Sequence, residues 1–167
     1  VYEDLTQRFS PRWRLLMTLV AGIAAWLLLD LCVPRIDLPV VDGWWGAATW
    51  PGVLLAIVAI AGLPHAFNLI DGYNGLAGIV AIVICAALAY VALVVGDRNL
   101  AAWLVVLLGA TAGFLFWNYP RGLIFAGDGG AYLWGFVIAV ASIHLVQQNT
   151  RVSPWFPMLL LIYPVWE

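Results

Sequence analysis

The chain has 167 residues, of which 65% are hydrophobic and only 10% charged. A soluble domain carries roughly 25% charged residues, so this sequence cannot cover a water-facing surface and its main solvent is read as lipid. Its seven basic residues are all Arg and its acids number nine, so the net charge of -2 gives no basic field and excludes nucleic acid as a partner.

A membrane crossing needs about 20 apolar residues. The first predicted span covers about 13–33, after Arg8, Arg12 and Arg14 and before Pro34. A loop over 34–50 carries Asp37, Asp42 and Gly43, with Trp44, Trp45 and Trp50 as interfacial anchors. The second span covers about 51–70 and runs into Asn68-Leu-Ile-Asp71-Gly-Tyr-Asn74-Gly. The third, about 76–95, closes on Gly96-Asp-Arg-Asn99, and the fourth, about 100–117, on Asn118-Tyr-Pro120. Phe125-Ala-Gly-Asp128-Gly-Gly130 opens the fifth, about 129–148, and a sixth begins near Trp155. The expected fold is all-α: one polytopic transmembrane helix bundle over 1–167, with about six spans. The chain opens without Met and closes in mid-element, so it reads as a piece of a longer membrane protein. Cys32 and Cys85 lack metal spacing and read as small buried residues.

Crossings alternate sides. Parity places Glu3, Asp4, Asp71, Asp128 and Glu167 on one face, and Asp30, Asp37, Asp42 and Asp97 on the other. With the amino end inside, Arg8, Arg12, Arg14 and Arg121 are cytoplasmic and Arg35, Arg98 and Arg151 are not. The three Arg before the first span carry most of that bias. Carboxylates gathered at a membrane boundary are costly unless they are used.

Asn68, Asp71 and Asn74 follow one another at intervals of three, which on a helix share a face. Gly72 and Gly75 loosen the chain there, and Pro64 invites a kink. Such a row suits oxygen ligation of a hard cation. Asp128 falls at an expected N-cap, and Gly127 and Gly129 beside it would bare backbone N–H groups to a phosphate. A carboxylate next to a phosphate calls for a bridging cation, and Mg²⁺ fits that role, with Mn²⁺ as an alternative. Glu3 and Asp4 read either as solvated surface or as part of this acidic face. His65 stands near Asn68 and could line the site; His144 reads as a satisfied helix histidine.

These motifs resemble the polyprenyl-phosphate N-acetylhexosamine-1-phosphate transferases. Residues 68–78 look like that family's Asn-x-x-Asp-Gly-x-Asp-Gly-Leu motif. Phe116-Trp-Asn118-Tyr-Pro120, followed by Phe125-Ala-Gly-Asp128-Gly-Gly130, looks like its Asn-x-x-Pro and Gly-Asp-x-Gly segment. Glu3-Asp4-Leu-Thr-Gln-Arg8 is similar to its early cytoplasmic acidic pair, and with Ser10-Pro11-Arg12 nearby it resembles the O-antigen-initiating branch. The similarity spans the whole chain. Asn74 stands where the family usually has Asp, Glu3 replaces the first Asp of the pair, and Ala131 stands where Ser is common.

The resemblance implies transfer of an N-acetylhexosamine-1-phosphate from a UDP-sugar to polyprenyl phosphate, with UMP released, at the cytoplasmic face of a bacterial inner membrane. It implies Mg²⁺ on Asp128 and Asp71, and Asp4 orienting the lipid phosphate or taking its proton. Glu3, Asn68, Asn74, Asn118, Gly127 and Gly129 would hold substrates. Its partners would be the lipid, the nucleotide sugar and the bilayer, with a homodimer left open. The family's later His- and Arg-rich loop is absent, so this piece alone is expected to be inactive. Two other readings stay open: an ion-coupled transporter, whose acids would lie near the bilayer midplane, and an inactive structural membrane segment.

Overall fold

The computed structural model of the chain describes residues 11–45 and 48–167. Among these residues it is helical, in the order α1 (Pro11–Leu29), α2 (Pro39–Trp45), α3 (Thr49–Ile70), α4 (Leu76–Val95), α5 (Arg98–Asn118), α6 (Gly127–Gln148), α7 (Trp155–Leu160) and α8 (Ile162–Trp166). Five of them, α1, α3, α4, α5 and α6, are long and apolar enough to cross a membrane. The multi-span helical bundle expected from the sequence is therefore the observed architecture. Only a helix keeps all of its backbone N–H and C=O groups bonded within one segment in lipid.

The sixth span expected to begin near Trp155 is helical from that residue but broken. Over 155–166 the chain makes two short helices meeting at Leu161. Pro157 and Pro164 each lack a backbone donor, and the helix is broken between them at Leu161.

Helix ends follow local chemistry. α4 starts after Gly75 and stops at Gly96, both with positive φ, at 84° and 90°. The Gly96 N–H returns to the carbonyls of Ala92 and Leu93, an αL stop that glycine adopts at little cost. Asp97 then caps α5 by accepting from the Leu100 N–H at 3.0 Å.

The helices pack in a chain of neighbours. α1 lies on α3, α3 on α6, α6 on α4, and α4 on α5. Lipid tails are as apolar as Leu, so helices associate through close packing at small residues. A Cβ on Gly22 of α1 would come 3.0 Å from the Ile57 carbonyl of α3. One on Gly135 of α6 would sit 2.5 Å from Pro64 Cα of α3. The two backbones touch there, and the helix runs on through Pro64. Phe67, Ile60, Leu88, Leu104 and Ile138 fill the core between these crossings. Trp134 on α6 donates its indole N–H to Thr111 of α5 at 2.9 Å, and Thr111 donates to the Leu107 carbonyl.

One end of the bundle is laced by polar side chains. Arg35, after α1, donates to the carbonyls of Thr150 (2.9 Å) and Val152 (2.7 Å), and its Nε pairs with Asp37 at 2.8 Å. Ser153 donates to the same Asp37 at 2.5 Å. Gln147 accepts from the Cys32 N–H and donates to the Asp30 carbonyl. Trp45 donates to the Val33 carbonyl, and Trp44 meets Trp50 edge to face. Trp45 thus ties this connection to the end of the first span, and Arg35 clamps it to the turn after α6. Asp97 lies at this end too, 3.6 Å from His144 Nε2. Asp71 and Asp128 lie at the other. The division of acids by parity therefore holds for the described residues that the helices carry.

Gly135→Val puts two methyl groups into the α3–α6 backbone contact. In the full-length protein in detergent it is expected to destabilise the fold by about 2–3 kcal/mol, the usual scale for overpacking, read as a lowered melting temperature. An unchanged midpoint would show that the crossing is looser than described.

Candidate active site

Three helices deliver polar groups to the acidic end. Asn68 lies in the last turn of α3 and Asp71 at its C-cap, with φ -77° and ψ 31°. Asp128 lies in the first turn of α6, and Arg14 in the first turn of α1. The Asp128 carboxylate takes one partner on each oxygen: Oδ1 accepts from Asn68 Nδ2 at 2.7 Å, and Oδ2 faces Arg14 Nη1 at 3.0 Å. Asp128 therefore ties α1, α3 and α6 together.

Two sequence expectations change here. Asp128 is not the N-cap. Ala126 holds that position, Gly127 opens the helix at φ 60°, and the N-cap position makes no side-chain bond. The carboxylate is turned toward two other helices, so capping does not account for it. The Asn68-Asp71-Asn74 row is not one helix face either. α3 ends at Ile70 and Gly75 turns the chain with positive φ, so the three-residue rhythm stops at Asp71.

Asn74 instead meets the loop between α5 and α6. Its Nδ2 donates to the Pro120 carbonyl at 3.3 Å, and it packs on Gly122, where a Cβ would lie 2.7 Å from that same nitrogen. Asn118, buried at the end of α5, accepts from the Gly75 N–H at 2.6 Å and donates to the Ile124 carbonyl at 2.8 Å. The two asparagines stitch the turn after α3 to the loop before α6. Gly129 stands open, with nothing within 4 Å of where its Cβ would be. Gly127 contributes the turn into α6. Glu3 and Asp4 lie outside the described residues.

Beside Arg14 and Gly129 a groove of about 420 Å³ opens between α1, α3 and α6. Met17, Ala21, Ile60, Pro64, Leu133 and Phe136 make most of its wall. His65 reaches Thr18, one of the lining residues, with Nε2 3.0 Å from Thr18 Oγ1.

Arg14 is the site residue that the sequence alone did not single out. It counted there only toward the inside charge bias. Its spacing held a clue: it opens a span on the face that also carries two carboxylates, and a bare Arg at that depth is costly without a partner.

Burial, and secondarily the Asp128 carboxylate, push the Asp71 carboxyl above its ordinary value. A raised folded-state pKa favours the neutral form. The stability it contributes is complete below the unfolded value, about 3.9, and is lost as pH rises through the raised one. Asp71→Asn in the full-length protein is therefore expected to raise the melting temperature at neutral pH. The gain should vanish as the pH falls below the ordinary carboxylate range. Melting curves across that range check it, and a lower midpoint for the variant at neutral pH contradicts it.

Residues 1–146 match the family model described as Glycosyl transferase family 4. The chain is similar to a probable undecaprenyl-phosphate N-acetylglucosaminyl 1-phosphate transferase of Bacillus subtilis (strain 168), at 32% identity over 119 residues, which is 71% of this chain and 33% of that one. It is similar to the phospho-N-acetylmuramoyl-pentapeptide-transferase of Moorella thermoacetica, at 34% over 150 residues, 90% of this chain and 45% of the other. The enzyme of the same description from Bartonella quintana (strain Toulouse) is 33% identical over 163 residues, 86% of this chain and 46% of its own. The chain thus spans between a third and a half of the length of these curated relatives. The match runs through both acidic motifs and the helices that carry them, and the chain belongs to glycosyl transferase family 4.

Proposed function

We propose that the protein containing this chain transfers an N-acetylhexosamine-1-phosphate from a UDP-sugar to polyprenyl phosphate, at the inner face of a bacterial membrane. An oxygen of the lipid phosphate forms a bond to the sugar-linked phosphorus. The bond from that phosphorus to UMP breaks, leaving a polyprenyl-diphospho-sugar. The single observation that carries this reading is the Asp71–Asp128–Arg14 cluster at the mouth of an apolar groove. It supplies a place for phosphate chemistry against a place for a lipid chain. Phosphoryl transfer asks for positioning and charge compensation rather than covalent help from the protein.

The donors at the site suit Mg²⁺. Asp71, Asp128 and the Asn68 carboxamide offer oxygen only. Among the described residues no three His, Cys, Asp or Glu gather as a dedicated cage. Mg²⁺ uses one or two carboxylates, waters and substrate phosphates, so two aspartates are an adequate protein share. When bound, the ion would offset the diphosphate charge. Asp71 and Asp128 would hold it. Asn68 fixes the Asp128 carboxylate in plane, and Arg14 gives the anionic substrates a cationic neighbour. Gly129 leaves the first turn of α6 open to a phosphate, where helix N–H groups point outward. The lipid's first isoprene units would lie in the groove along Met17, Ala21 and Leu133. Asp4 would orient the lipid phosphate and Glu3 assist it. Asn74 and Asn118 would act on substrates through the loops they hold. The Glu3-Asp4 pair with Ser10-Pro11-Arg12 favours the O-antigen-initiating branch. A transporter would carry its acids near the midplane, whereas these stand at span ends.

Asp128→Asn in the full-length protein is expected to lower Mg²⁺-dependent UMP release by about 10³-fold or more while membrane insertion persists. Retention of full turnover at limiting Mg²⁺ would contradict the metal assignment. Ala21→Phe, by filling the groove, is expected to raise KM for polyprenyl phosphate by about tenfold, the worth of about 1.4 kcal/mol, with KM for the UDP-sugar little changed. Equal shifts in both would place the lipid elsewhere.

A further inference from the structure

One helical turn deeper than the acid cluster lies a second set of polar side chains, on the same three helices. On α1, Thr18 follows Arg14 by four residues. On α6, Tyr132 follows Asp128 by four, and on α3, His65 precedes Asn68 by three. These spacings stack side chains on one helix face. α1 and α6 run inward from the acidic end and α3 runs toward it, so all three residues lie on the membrane side of their partners.

They also meet one another. Thr18 Oγ1 is 3.0 Å from His65 Nε2, and the Tyr132 hydroxyl is 3.4 Å from His65 Nδ1. The His65 and Tyr132 rings pack edge to face with centroids 5.2 Å apart. The bundle therefore holds two rungs: Arg14–Asp128–Asn68 above and Thr18–His65–Tyr132 below.

The lower rung has a direction. Thr18 donates its one hydroxyl hydrogen to the Leu15 carbonyl at 3.0 Å. Its oxygen then accepts from His65, which puts the ring hydrogen on Nε2 and leaves Nδ1 as an acceptor facing the Tyr132 hydroxyl. On that assignment His65 donates to Thr18, Thr18 donates to a backbone carbonyl, and Nδ1 is left facing the Tyr132 hydroxyl. A chain that ends on a carbonyl cannot pass a proton onward. It can hold three helices at fixed heights, because in an apolar wall each of these groups has much to lose by parting.

We propose that Thr18, His65 and Tyr132 form a positioning rung, which sets the axial heights of α1, α3 and α6 so that Arg14 and Asn68 meet Asp128. The rung also keeps polarity inside the groove wall, where Thr18 and Tyr132 face the space that Ala21 and Leu133 line. Its effect on catalysis rests on the transferase reading above; its effect on the Arg14–Asp128 contact does not.

The test uses the full-length protein. Melting temperatures of Arg14→Gln, Asp128→Asn and their double variant give the coupling between the two residues. The cycle is then repeated on a Tyr132→Phe background and on a Thr18→Val background. The coupling should fall to roughly half or less on both, and should survive Thr18→Ser, which keeps the hydroxyl. Unchanged coupling on both backgrounds overturns the proposal, and should Tyr132→Phe not fold, the Thr18 series decides alone. ¹⁵N-histidine spectra, with the His65 signals assigned by their loss in His65→Gln, should give His65 as neutral with hydrogen on Nε2. A charged ring, or hydrogen on Nδ1, also overturns it. In the transfer assay Tyr132→Phe should lose about tenfold in kcat, below the 10²-fold that a 1 Å misplacement can cost, with KM for the UDP-sugar little changed. Wild-type kcat with the coupling lost would remove the rung from catalysis. If the unaltered protein transfers nothing, the transferase reading falls while the coupling arm still judges the rung.

Discussion

The contact on which the acidic end depends is the double engagement of Asp128. One carboxylate oxygen holds an amide from α3 and the other a guanidinium from α1, while its own backbone belongs to the first turn of α6. At a lipid boundary an unpaired carboxylate and an unpaired Arg are both costly, so each holds the other where neither would stay alone. Among the described residues Asp71 shows no such ion pair, and burial raises its carboxyl. The two aspartates are thus unlike in environment although alike in chemistry. Carboxylates set apart in this way can take different parts in one reaction.

Shape and charge coincide at this end of the molecule. The groove beside Arg14 is walled by apolar side chains from three helices, and its mouth is where the polar groups collect. A substrate with a charged head and a hydrocarbon tail fits that division without requiring either half of the site to change. The turn after α3 and the loop before α6 are stiffened by Asn74 and Asn118, whose amides are taken up by backbone groups across the gap between the two motifs.

Much of this was legible in the sequence. The apolar stretches located α1, α3, α4, α5 and α6 to within a few residues, because a bilayer imposes both length and composition. Counting crossings was enough to bring Asp71 and Asp128 to one end. What periodicity could not supply was the end of α3. The helical spacing of Asn68, Asp71 and Asn74 continues in the sequence after the helix has stopped, and the stop depends on a left-handed Gly75 packed against Tyr119. The partners of Asp128 were equally hidden, since Arg14 is 114 positions away and only the α1–α3–α6 packing brings it near. In the sixth apolar stretch hydropathy located the helix start near Trp155 but did not register the break at Leu161, between Pro157 and Pro164.

The touching backbones of Gly135 and Pro64 have a mechanical meaning. That crossing lies seven residues into α6 from Asp128, about 10 Å along the axis. It is the natural fulcrum for any rocking of α6 against α3, and the lever arm above it is short. A tilt of roughly 5° would carry Asp128 by only about 1 Å over that length. Beyond the fulcrum, the Arg35 clamp holds the turn that follows the far end of α6. The described helices thus form a stiff frame, held at one end by the Arg35 clamp and at mid-height by the touching backbones.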